Sequence, residues 1–272
     1  MKVFCILSDE RAFRSKSPTM HNAVIKRHGI DAVYVPFAVE PEQLGKAVNG
    51  LRALNIAGAN VTVPYKETVM TYLDRVSPEA ERIGAVNTIL RYEDALLGDN
   101  TDAGGFLDAL GAAGWDPRDK RALVVGAGGA AKAVVFALKS TGITDILITD
   151  IIPEKARQLA RTFDLHDVPL DMLSGGPLPL ELLVNATSVS SPDEGPNLAF
   201  LVKDANFEPC ELVVDVNYGR TTNFWKDLAD RHAAKFMDGL PMLAYQARRS
   251  FALWTGLKVP HQEFLEALGV RL

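Results

Sequence analysis

The sequence lacks the features that mark membrane proteins, nucleic-acid-binding proteins and disulfide-rich proteins. It has no apolar stretch near the roughly 20 residues that a membrane-spanning helix needs, and we expect no secretory signal. Its net charge of −5 gives no electrostatic reason to expect nucleic acid as a partner. Its two cysteines, Cys5 and Cys210, are expected to stay unpaired, because Cys5 lies in an apolar run typical of a buried strand. We therefore expect a cytoplasmic protein that binds neither a membrane nor nucleic acid.

The chain is long enough to bury a substantial core. Its 272 residues, of which 47% are hydrophobic and 23% charged, are typical of a globular protein with one large domain or two smaller ones. The first hundred residues alternate between strand-like and helix-like patterns of apolar residues. Such βαβ repetition predicts an α/β fold, with a parallel sheet and helices on both of its faces.

The same patterns predict individual elements in both halves of the chain. Strands are expected at 3–7, 32–39, 57–62, 122–125, 146–148, 182–185 and 212–216. Helices are expected at 41–55, 66–76, 78–83, 131–138 and 153–163, and from residue 243 onward with a break at 256–260. Residues 85–91 and 95–98 are expected to pair as a hairpin, and residues 174–179 to form a surface loop.

A glycine-rich turn lies between the strand predicted at 122–125 and the helix that follows it. Residues 126–131 read G-A-G-G-A-A and fit the pattern G-x-G-x-x-A. Gly126 allows the tight turn, Gly128 lets the backbone approach a pyrophosphate, and Ala131 permits close packing of helix on strand. The N–H groups at the start of the helix then face the phosphates. The alternative is a purely structural turn, but this context favours a Rossmann unit and a nicotinamide-dependent dehydrogenase.

An acidic residue follows the second strand of this unit, where a Rossmann fold binds the ribose of its cofactor. Asp150 comes directly after residues 146–149, and neither Ile151 nor Ile152 offers a cation. A carboxylate here accepts hydrogen bonds from ribose hydroxyls and repels a 2′-phosphate. We therefore expect NAD as the cofactor, with NADP disfavoured. The alternative is that Asp150 only caps the next helix.

Three polar clusters punctuate the first half, each after a predicted strand. Ser15 and Ser17 precede a proline that can start a helix, so their hydroxyls can bind an anion, although a simple N-cap explains them equally well. Lys66 follows a strand end that faces the ligand crevice of an open α/β sheet, and its alternative is a solvated surface charge. Asp102 lies in a turn-forming stretch. If Asp102 meets Lys66, the carboxylate orients the amine, which moves the proton that carbonyl reduction requires.

Six motifs follow one another in order along the chain. They are S-x-S-P-x-M-H-N at 15–22, N-V-T-x-P-x-K at 60–66, G-A-V-N-T at 84–88, G-x-N-T-D-x-x-G at 98–105, N-A-T-S at 185–188 and M-L-x-x-Q-A at 242–247. Together with the glycine turn, they resemble the motifs of the shikimate dehydrogenase family over essentially the whole chain. So many ordered matches make a chance resemblance implausible.

The resemblance implies an activity and a set of site residues. The activity is reversible hydride transfer between a nicotinamide cofactor and 3-dehydroshikimate or shikimate. Lys66 and Asp102 would form the catalytic pair, and Ser15 and Ser17 would hold the substrate carboxylate. The ring hydroxyls would be bound by Asn60, Thr62, Asn87, Asp102 and Gln246. The cofactor site would include Gly126, Ala127, Gly128, Gly129, Ala130, Asp150, Thr187 and Gly239.

The resemblance also implies how the chain is organised. Residues 1–102 plus 238–272 would form a substrate-binding and catalytic domain, and residues 103–237 a Rossmann dinucleotide-binding domain. A cleft between the two would close on the substrate, a small ring hydroxy acid, and exclude water. We expect no metal site, and either a monomer or a homodimer.

Three segments depart from the family's motifs. Residues 150–152, D-I-I, replace an N-R-T-like segment of NADP-using members, in agreement with the expectation of NAD. Residues 215–220, D-V-N-Y-G-R, replace D-x-x-Y-N-P, and the loop after 185–188 lacks its usual G-M. These departures predict a divergent member, with quinate or an amino analogue as alternative substrates. A nucleotide-binding relative without catalysis is a further alternative, against which the intact Lys66 and Asp102 argue.

Overall fold

Two units, each with its own sheet, make up the computed structural model, which describes residues 1–143 and 145–270. The first unit comprises Met1–Phe106 and the described residues from Met242 onward, and the second comprises Leu107–Pro241. The chain passes from one unit to the other within two helices, Asp102–Ala112 and Leu240–Thr255. The α/β class is confirmed, whereas the assignment of substrate to one unit and cofactor to the other stays a prediction.

The first unit alternates strands and helices along the chain. Its elements are β1 (Lys2–Ser8), α1 (Ser17–Arg27), β2 (Ala32–Ala38), α2 (Leu44–Ala53), β3 (Gly58–Val61), β4 (Arg75–Val76), α3 (Pro78–Ile83), β5 (Thr88–Tyr92), β6 (Ala95–Asp99) and the first residues of α4 (Asp102–Ala112). The sheet has the order β2-β1-β3-β5-β6-β4. Strands β2, β1 and β3 are parallel, and β5 runs antiparallel to both of its neighbours. The predicted hairpin of β5 and β6 is therefore confirmed, and the sheet is mixed.

Both faces of this sheet are covered, as predicted. Strand β1 is buried along most of its length, because a strand between two layers must be apolar on both sides. On one face, Leu7 packs in a cluster with Leu44 of α2, and on the other Phe4 packs with Met20 of α1. Burial raises the pKa of the Cys5 thiol to about 12, so this group stays a neutral part of the core.

Residues 66–76 do not form the predicted helix. Only Thr68–Tyr72 turn, as a short 3-10 helix, and β4 then joins the sheet beside β6. The carboxylate of Asp74 stabilises this course, because it accepts hydrogen bonds from the Leu96 N–H at 2.6 Å and from Arg52 at 2.5 Å. Pairing with a distant strand thus overrides the local helical pattern.

The second unit is built on a parallel sheet. Its elements are the end of α4, then β7 (Arg121–Val125), α5 (Gly129–Ser140), β8 (Asp145–Thr149), α6 (Pro153–Phe163), β9 (His166–Asp167), β10 (Pro177–Leu178), β11 (Leu182–Asn185), α7 (Pro196–Lys203), β12 (Asn206–Phe207), β13 (Leu212–Asp215), α8 (Phe224–Arg231) and β14 (Lys235–Met237). The main sheet has the order β14-β13-β11-β7-β8-β9. Chain order reverses between β7 and β11, and ligands of such sheets bind outside the carboxyl ends of the strands at this reversal.

Residues 174–179 lie at the surface, as their glycines and prolines predict, except for Leu178. Within them β10 pairs in parallel with β12 to make a small second sheet. Leu178 and the following Leu180 are buried and join the core of the second unit, together with Phe207 of β12. The two leucines therefore fix this segment to the core, although its glycines and prolines prevent a longer strand.

Two helices complete the first unit. They are α9 (Leu240–Thr255) and α10 (His261–Ala267), separated by the predicted break at 256–260. With 16 residues, α9 is shorter than the roughly 20 that a membrane span needs. Within residues 1–143 and 145–270, no helix has the length and apolar character required to cross a lipid bilayer.

A histidine lies in the aromatic core of the first unit. The ring of fully buried His21 stacks on Tyr34, with 4.4 Å between ring centroids and 9° between planes, and Phe251 and Phe264 flank it. Neither ring nitrogen has a hydrogen-bond partner in the described part of the chain. Burial therefore lowers the pKa of His21 to about 3, which keeps the ring neutral.

This histidine makes the protein less stable in acid. The unfolded chain takes up the proton near pH 6.5 and the folded chain only near pH 3, so stability falls as pH drops through this window. Between pH 6.5 and about pH 3, each pH unit lowers the free energy of unfolding by about 1.4 kcal/mol. We expect His21→Phe to lose less stability than the wild type between pH 7 and pH 4.5, measured by urea unfolding. The exposed His166→Gln is the control, and equal losses in all three proteins would contradict this account.

Candidate active site

Lys66 and Asp102 meet in the first unit. The Lys66 ammonium donates to Oδ2 of Asp102 at 2.7 Å, and the two side chains are only 12% and 7% exposed. The backbone carbonyl of Lys66 accepts from the Val86 N–H at 2.8 Å, which fixes the lysine beside the segment that leads into β5. Two sequence clusters separated by 36 residues are thus brought into direct contact.

Asp102 is held from both sides. Its Oδ1 accepts from the side-chain amide of Asn87 at 2.8 Å, so each carboxylate oxygen has its own donor. The Asn100 side-chain oxygen accepts from the Asp102 N–H at 3.0 Å and caps the start of α4. A carboxylate in the first turn of a helix is also favoured by the helix dipole. Asp102 is therefore fixed in place for orienting the ammonium of Lys66.

Asn87 and Gln246 belong to the same buried site. The Asn87 amide lies 3.3 Å from Oε1 of Gln246, which α9 supplies, and 2.9 Å from the Thr101 hydroxyl. The Asn87 side-chain oxygen accepts from the Thr101 N–H at 2.8 Å. The structure thus places four of the predicted residues, Lys66, Asp102, Asn87 and Gln246, in one hydrogen-bonded group.

Asn60 lies behind this group, with its side chain engaged by protein atoms. Its Oδ1 accepts from the Tyr34 hydroxyl at 2.8 Å, and its amide lies 3.1 Å from the Asn87 carbonyl and 3.2 Å from the Ser250 hydroxyl. The predicted contact of Asn60 with a ring hydroxyl stays a prediction. The observed contacts give Asn60 a supporting role toward Asn87.

Sequence reasoning missed Tyr34 and Ser250, which complete this network. The fully buried Ser250 hydroxyl lies 2.8 Å from that of Thr88 and 3.0 Å from that of Thr101. Ser250 lies four residues after Gln246 on α9, so the two share a helix face. That spacing was a signal in the sequence. Tyr34 gave none, because it lies among apolar residues of β2.

The two serines of the first motif lie next to each other at the start of α1. Oγ of Ser15 accepts from the Ser17 N–H at 3.1 Å, which leaves the Ser15 hydroxyl hydrogen free to be donated. Because Ser15 already takes the Ser17 N–H and Pro18 has none, the positive end of the α1 dipole is what favours an anion here. Thr62 is half-buried just beyond β3, where its N–H donates to the Leu7 carbonyl. Within the described residues, no hydrogen bond joins these three to the ion pair.

Metal-ligating side chains do not form a cluster in the part of the chain that the structure describes. Across residues 1–143 and 145–270, no group of three or more histidine, cysteine, aspartate or glutamate side chains could hold a metal ion. The site of the first unit instead combines one ammonium, one carboxylate and several amide and hydroxyl groups. Such a set can bind an acid that carries ring hydroxyls and can move a proton to or from one oxygen.

In the second unit, the glycine turn joins β7 to α5. Gly126 has φ +113°, and a Cβ there would lie 2.9 Å from the Ala186 backbone, so only glycine fits. At Gly128, by contrast, a Cβ would meet nothing within 4 Å. Helix α5 starts after Gly128 without a side-chain cap, leaving the N–H groups of Gly129 and Ala130 for an anion.

Asp150 makes backbone contacts that the sequence did not reveal. Its Oδ2 accepts from the Ala127 N–H at 2.8 Å, and its Oδ1 accepts from the Ile152 N–H at 2.8 Å. Both oxygens of the carboxylate therefore hold the main chain, one at the glycine turn and one before α6. Asp150 acts as a brace between two loops.

Thr187 and Gly239 lie at the carboxyl ends of β11 and β14. The Thr187 N–H and hydroxyl donate to the side-chain oxygen of Asn185, at 3.1 and 2.7 Å. Thr187 is close to the glycine turn, because a Cβ on Gly126 would lie 3.0 Å from its nitrogen. At Gly239, a Cβ would lie 2.1 Å from the Val216 carbonyl oxygen, so this position requires glycine. Their contacts with a cofactor stay predictions.

Comparison with known proteins decides the family. Three family models match: a shikimate dehydrogenase substrate binding domain at 10–89, shikimate / quinate 5-dehydrogenase at 111–230, and a shikimate 5′-dehydrogenase C-terminal domain at 239–268. A shikimate dehydrogenase (NADP(+)) of Moorella thermoacetica is 41% identical over 257 residues, which cover 90% of this chain and 85% of that relative. The chain belongs to the shikimate dehydrogenase family.

Other members of the family are similar over nearly the whole length. A shikimate dehydrogenase (NADP(+)) of Pyrococcus abyssi is 40% identical over 94% of this chain and 93% of its own. A crystal structure of the Thermus thermophilus shikimate 5-dehydrogenase in complex with NADP(H) and shikimate has 39% identity and a TM-score of 0.85, with 98% of both chains covered. The resemblance inferred from the motifs is thus confirmed.

The prediction of NAD as the cofactor was wrong. The relatives are named as NADP(+) enzymes, and the Thermus thermophilus structure contains NADP(H). The error came from Asp150, whose carboxylate was expected to accept from ribose and repel a 2′-phosphate. Both of its oxygens are instead taken by backbone N–H groups, which offset its charge.

The two glycines of the turn allow a test of the pyrophosphate site. We expect Gly128→Ala to keep the melting temperature, because the added methyl group contacts nothing, and to weaken binding of a nicotinamide dinucleotide by about tenfold or more, because it fills the approach to the turn. Calorimetric titration and thermal unfolding measure the two effects. Gly126→Ala is the comparison variant and should lower the melting temperature. Unchanged affinity in Gly128→Ala would refute the assignment.

Proposed function

We propose that this protein catalyses the reversible reduction of 3-dehydroshikimate to shikimate with NADP(H). The observation that supports this proposal best is the buried pair of Lys66 and Asp102, 2.7 Å apart and surrounded by amide and hydroxyl groups. The names of the relatives agree with it, since they are shikimate dehydrogenases that use NADP(+). The substrate is a small ring hydroxy acid.

Lys66 moves the proton in this reaction. Its ammonium gives a proton to the substrate carbonyl oxygen during reduction and takes it back during oxidation. The 12% exposure of its side chain lets solvent water restore the proton. Asp102 remains a carboxylate that aims the Lys66 ammonium, while Asn87 holds the second Asp102 oxygen. NADPH, when bound, supplies the hydride for the carbonyl carbon.

The remaining polar groups of the first unit orient the ring. Ser15 donates its free hydroxyl hydrogen to the substrate carboxylate, and the start of α1 adds the positive end of its dipole. Asn87, Gln246 and Thr62 contact ring hydroxyls. A site with several fixed donors and acceptors rejects analogues that lack a hydroxyl, because its own buried groups would then lose a partner.

The second unit has the features that NADP requires. The open space at Gly128 and the uncapped start of α5 fit a pyrophosphate. The 2′-phosphate needs a cation near the end of β8, where Asp150 and Ile152 lead into α6. Lys155 lies in the first turn of α6, which also has no side-chain N-cap bond. Because Arg157 is paired with Glu154, we assign the 2′-phosphate to Lys155.

The assignment of Lys66 is tested by Lys66→Ala. We expect kcat for NADPH-dependent reduction of 3-dehydroshikimate to fall by about 10² to 10⁴-fold, because the proton donor is lost. Calorimetry should show unchanged NADP+ affinity. The exposed Lys46→Ala is the matched control and should have normal turnover. Full turnover in Lys66→Ala would sink the proton role, and a wild type that turns over quinate but not shikimate would refute the proposed substrate.

The assignment of Lys155 is tested by comparing two cofactors. We expect Lys155→Ala to raise the KM for NADP+ by about tenfold, because a charged contact to the 2′-phosphate is lost, and to leave the KM for NAD+, which lacks this phosphate, unchanged. Arg161→Ala, in the last turn of the same helix, is the control. An equal rise in both KM values for Lys155→Ala would show that the lysine does not recognise the phosphate.

A further inference from the structure

The two segments of the second unit that depart from the family's motifs contact each other. One follows β11 and the other follows β13, two neighbouring strands of the parallel sheet. Arg220, in the second segment, donates from Nε to Oε1 of Glu194, in the first, at 3.0 Å. Glu194 also accepts from the N–H groups of Ser190 and Ser191, at 2.8 and 3.1 Å. The ion pair of Arg220 and Glu194 thus ties the two loops together.

Asn217 lies at the centre of the joined loops. Its side-chain amide is 2.8 Å from the Thr187 carbonyl oxygen, 3.0 Å from the Ser190 hydroxyl and 3.0 Å from Oδ1 of Asp215. Its backbone carbonyl accepts from the Gly239 N–H at 2.8 Å. Asn217 therefore binds both the segment that follows β11 and the segment that follows β14.

The position of these three strand ends indicates what the loops face. Strands β11, β13 and β14 all lie on one side of the reversal of chain order, and β8 lies on the other. A Rossmann sheet binds the first half of its dinucleotide beside the first strands and the nicotinamide half beside the later ones. Thr187, which lies against Gly126 at the reversal, and Gly239 therefore belong to the nicotinamide side.

We propose that Asn217 is the residue that positions the nicotinamide ring in this enzyme. It does so by holding the Thr187 and Gly239 backbone segments at a fixed separation, without touching the ring. This proposal rests on the proposed function, because it requires that a nicotinamide dinucleotide binds at the glycine turn. Hydride transfer depends steeply on the placement of the donor, so a loose loop lowers the rate even when the dinucleotide stays bound.

Asn223 provides a matched control for Asn217. Its side-chain amide donates to Oδ2 of the same fully buried carboxylate, Asp215, at 2.7 Å. Its own oxygen caps α8 by accepting from the N–H groups of Trp225 and Lys226. Loss of either asparagine therefore takes one donor from Asp215. The two asparagines differ in their other contacts: the Asn217 amide also donates to the Thr187 carbonyl, whereas the Asn223 oxygen caps α8.

The test compares Asn217→Ala with Asn223→Ala in two binding assays. The probes are NADP+ and 2′,5′-ADP, which lacks the nicotinamide. We expect Asn217→Ala to weaken NADP+ binding about fivefold, because the loosened loops hold the nicotinamide less firmly, and to leave 2′,5′-ADP binding unchanged. It should also lower kcat about tenfold without changing the KM for shikimate, and shift the emission of bound NADPH toward that of free NADPH. Asn223→Ala should lower the melting temperature and keep the wild-type ratio of the two affinities.

Each outcome decides one point. If Asn217→Ala binds both probes as the wild type does, or loses affinity for both equally, Asn217 has no specific role toward the nicotinamide and the proposal is overturned. If Asn217→Ala does not fold, Asn217→Ser, whose hydroxyl is one bond shorter, replaces it and must show the same selective loss. A wild type that binds neither probe would overturn the proposed function itself, which is a result distinct from failure of the variant.

Discussion

The rest of the first unit depends on satisfying a buried ion pair. Taking Lys66 and Asp102 out of water costs several kcal/mol per ion, so the pair persists only where every oxygen has a donor. Asn87 supplies that donor to Asp102, and Thr101 in turn fixes Asn87. Because these residues come from separate loops and strands, the ends of β3, β5 and β6 must all lie in register. The hydrogen bonds that the Asp102 carboxylate needs thus constrain where these strand ends lie.

The sequence predicted the elements whose signals are local and missed those that depend on distant partners. Helical spacing located α2, and the context of the glycine turn located β7 and α5. Residues 66–76 went wrong because Asp74 and β6 redirect the chain through contacts with other segments. Lys66, Asp102 and Gln246 were found through motifs, whereas Tyr34 acts through a hydroxyl on an otherwise apolar strand, where no pattern distinguishes it. The motif residues could be predicted from the sequence, whereas of the two supporting residues only Ser250, four positions after Gln246, had a signal there.

Within the described residues, the buried carboxylate of Asp215 has neutral hydrogen-bond donors and no ion-pair partner. Asp215 accepts from the side-chain amides of Asn185, Asn217 and Asn223 and from one backbone N–H, so its charge is spread over neutral donors. Arg220, in the same segment after β13, pairs with Glu194. A polar network of this kind holds loops rigidly, because breaking one bond would leave a charged group buried and underpaired.

The brace formed by Asp150 has a consequence for protein engineering. A residue at the end of the second Rossmann strand is the usual place to redesign cofactor preference, and the aspartate invites substitution. Here each of its oxygens accepts a hydrogen bond from a backbone N–H, and one of these N–H groups lies in the glycine turn. An asparagine would keep a single acceptor and point an amide hydrogen at one of those N–H groups. Exchange at residue 150 would therefore disturb the glycine turn before it altered selectivity, and a designer would do better to start on the exposed face of α6.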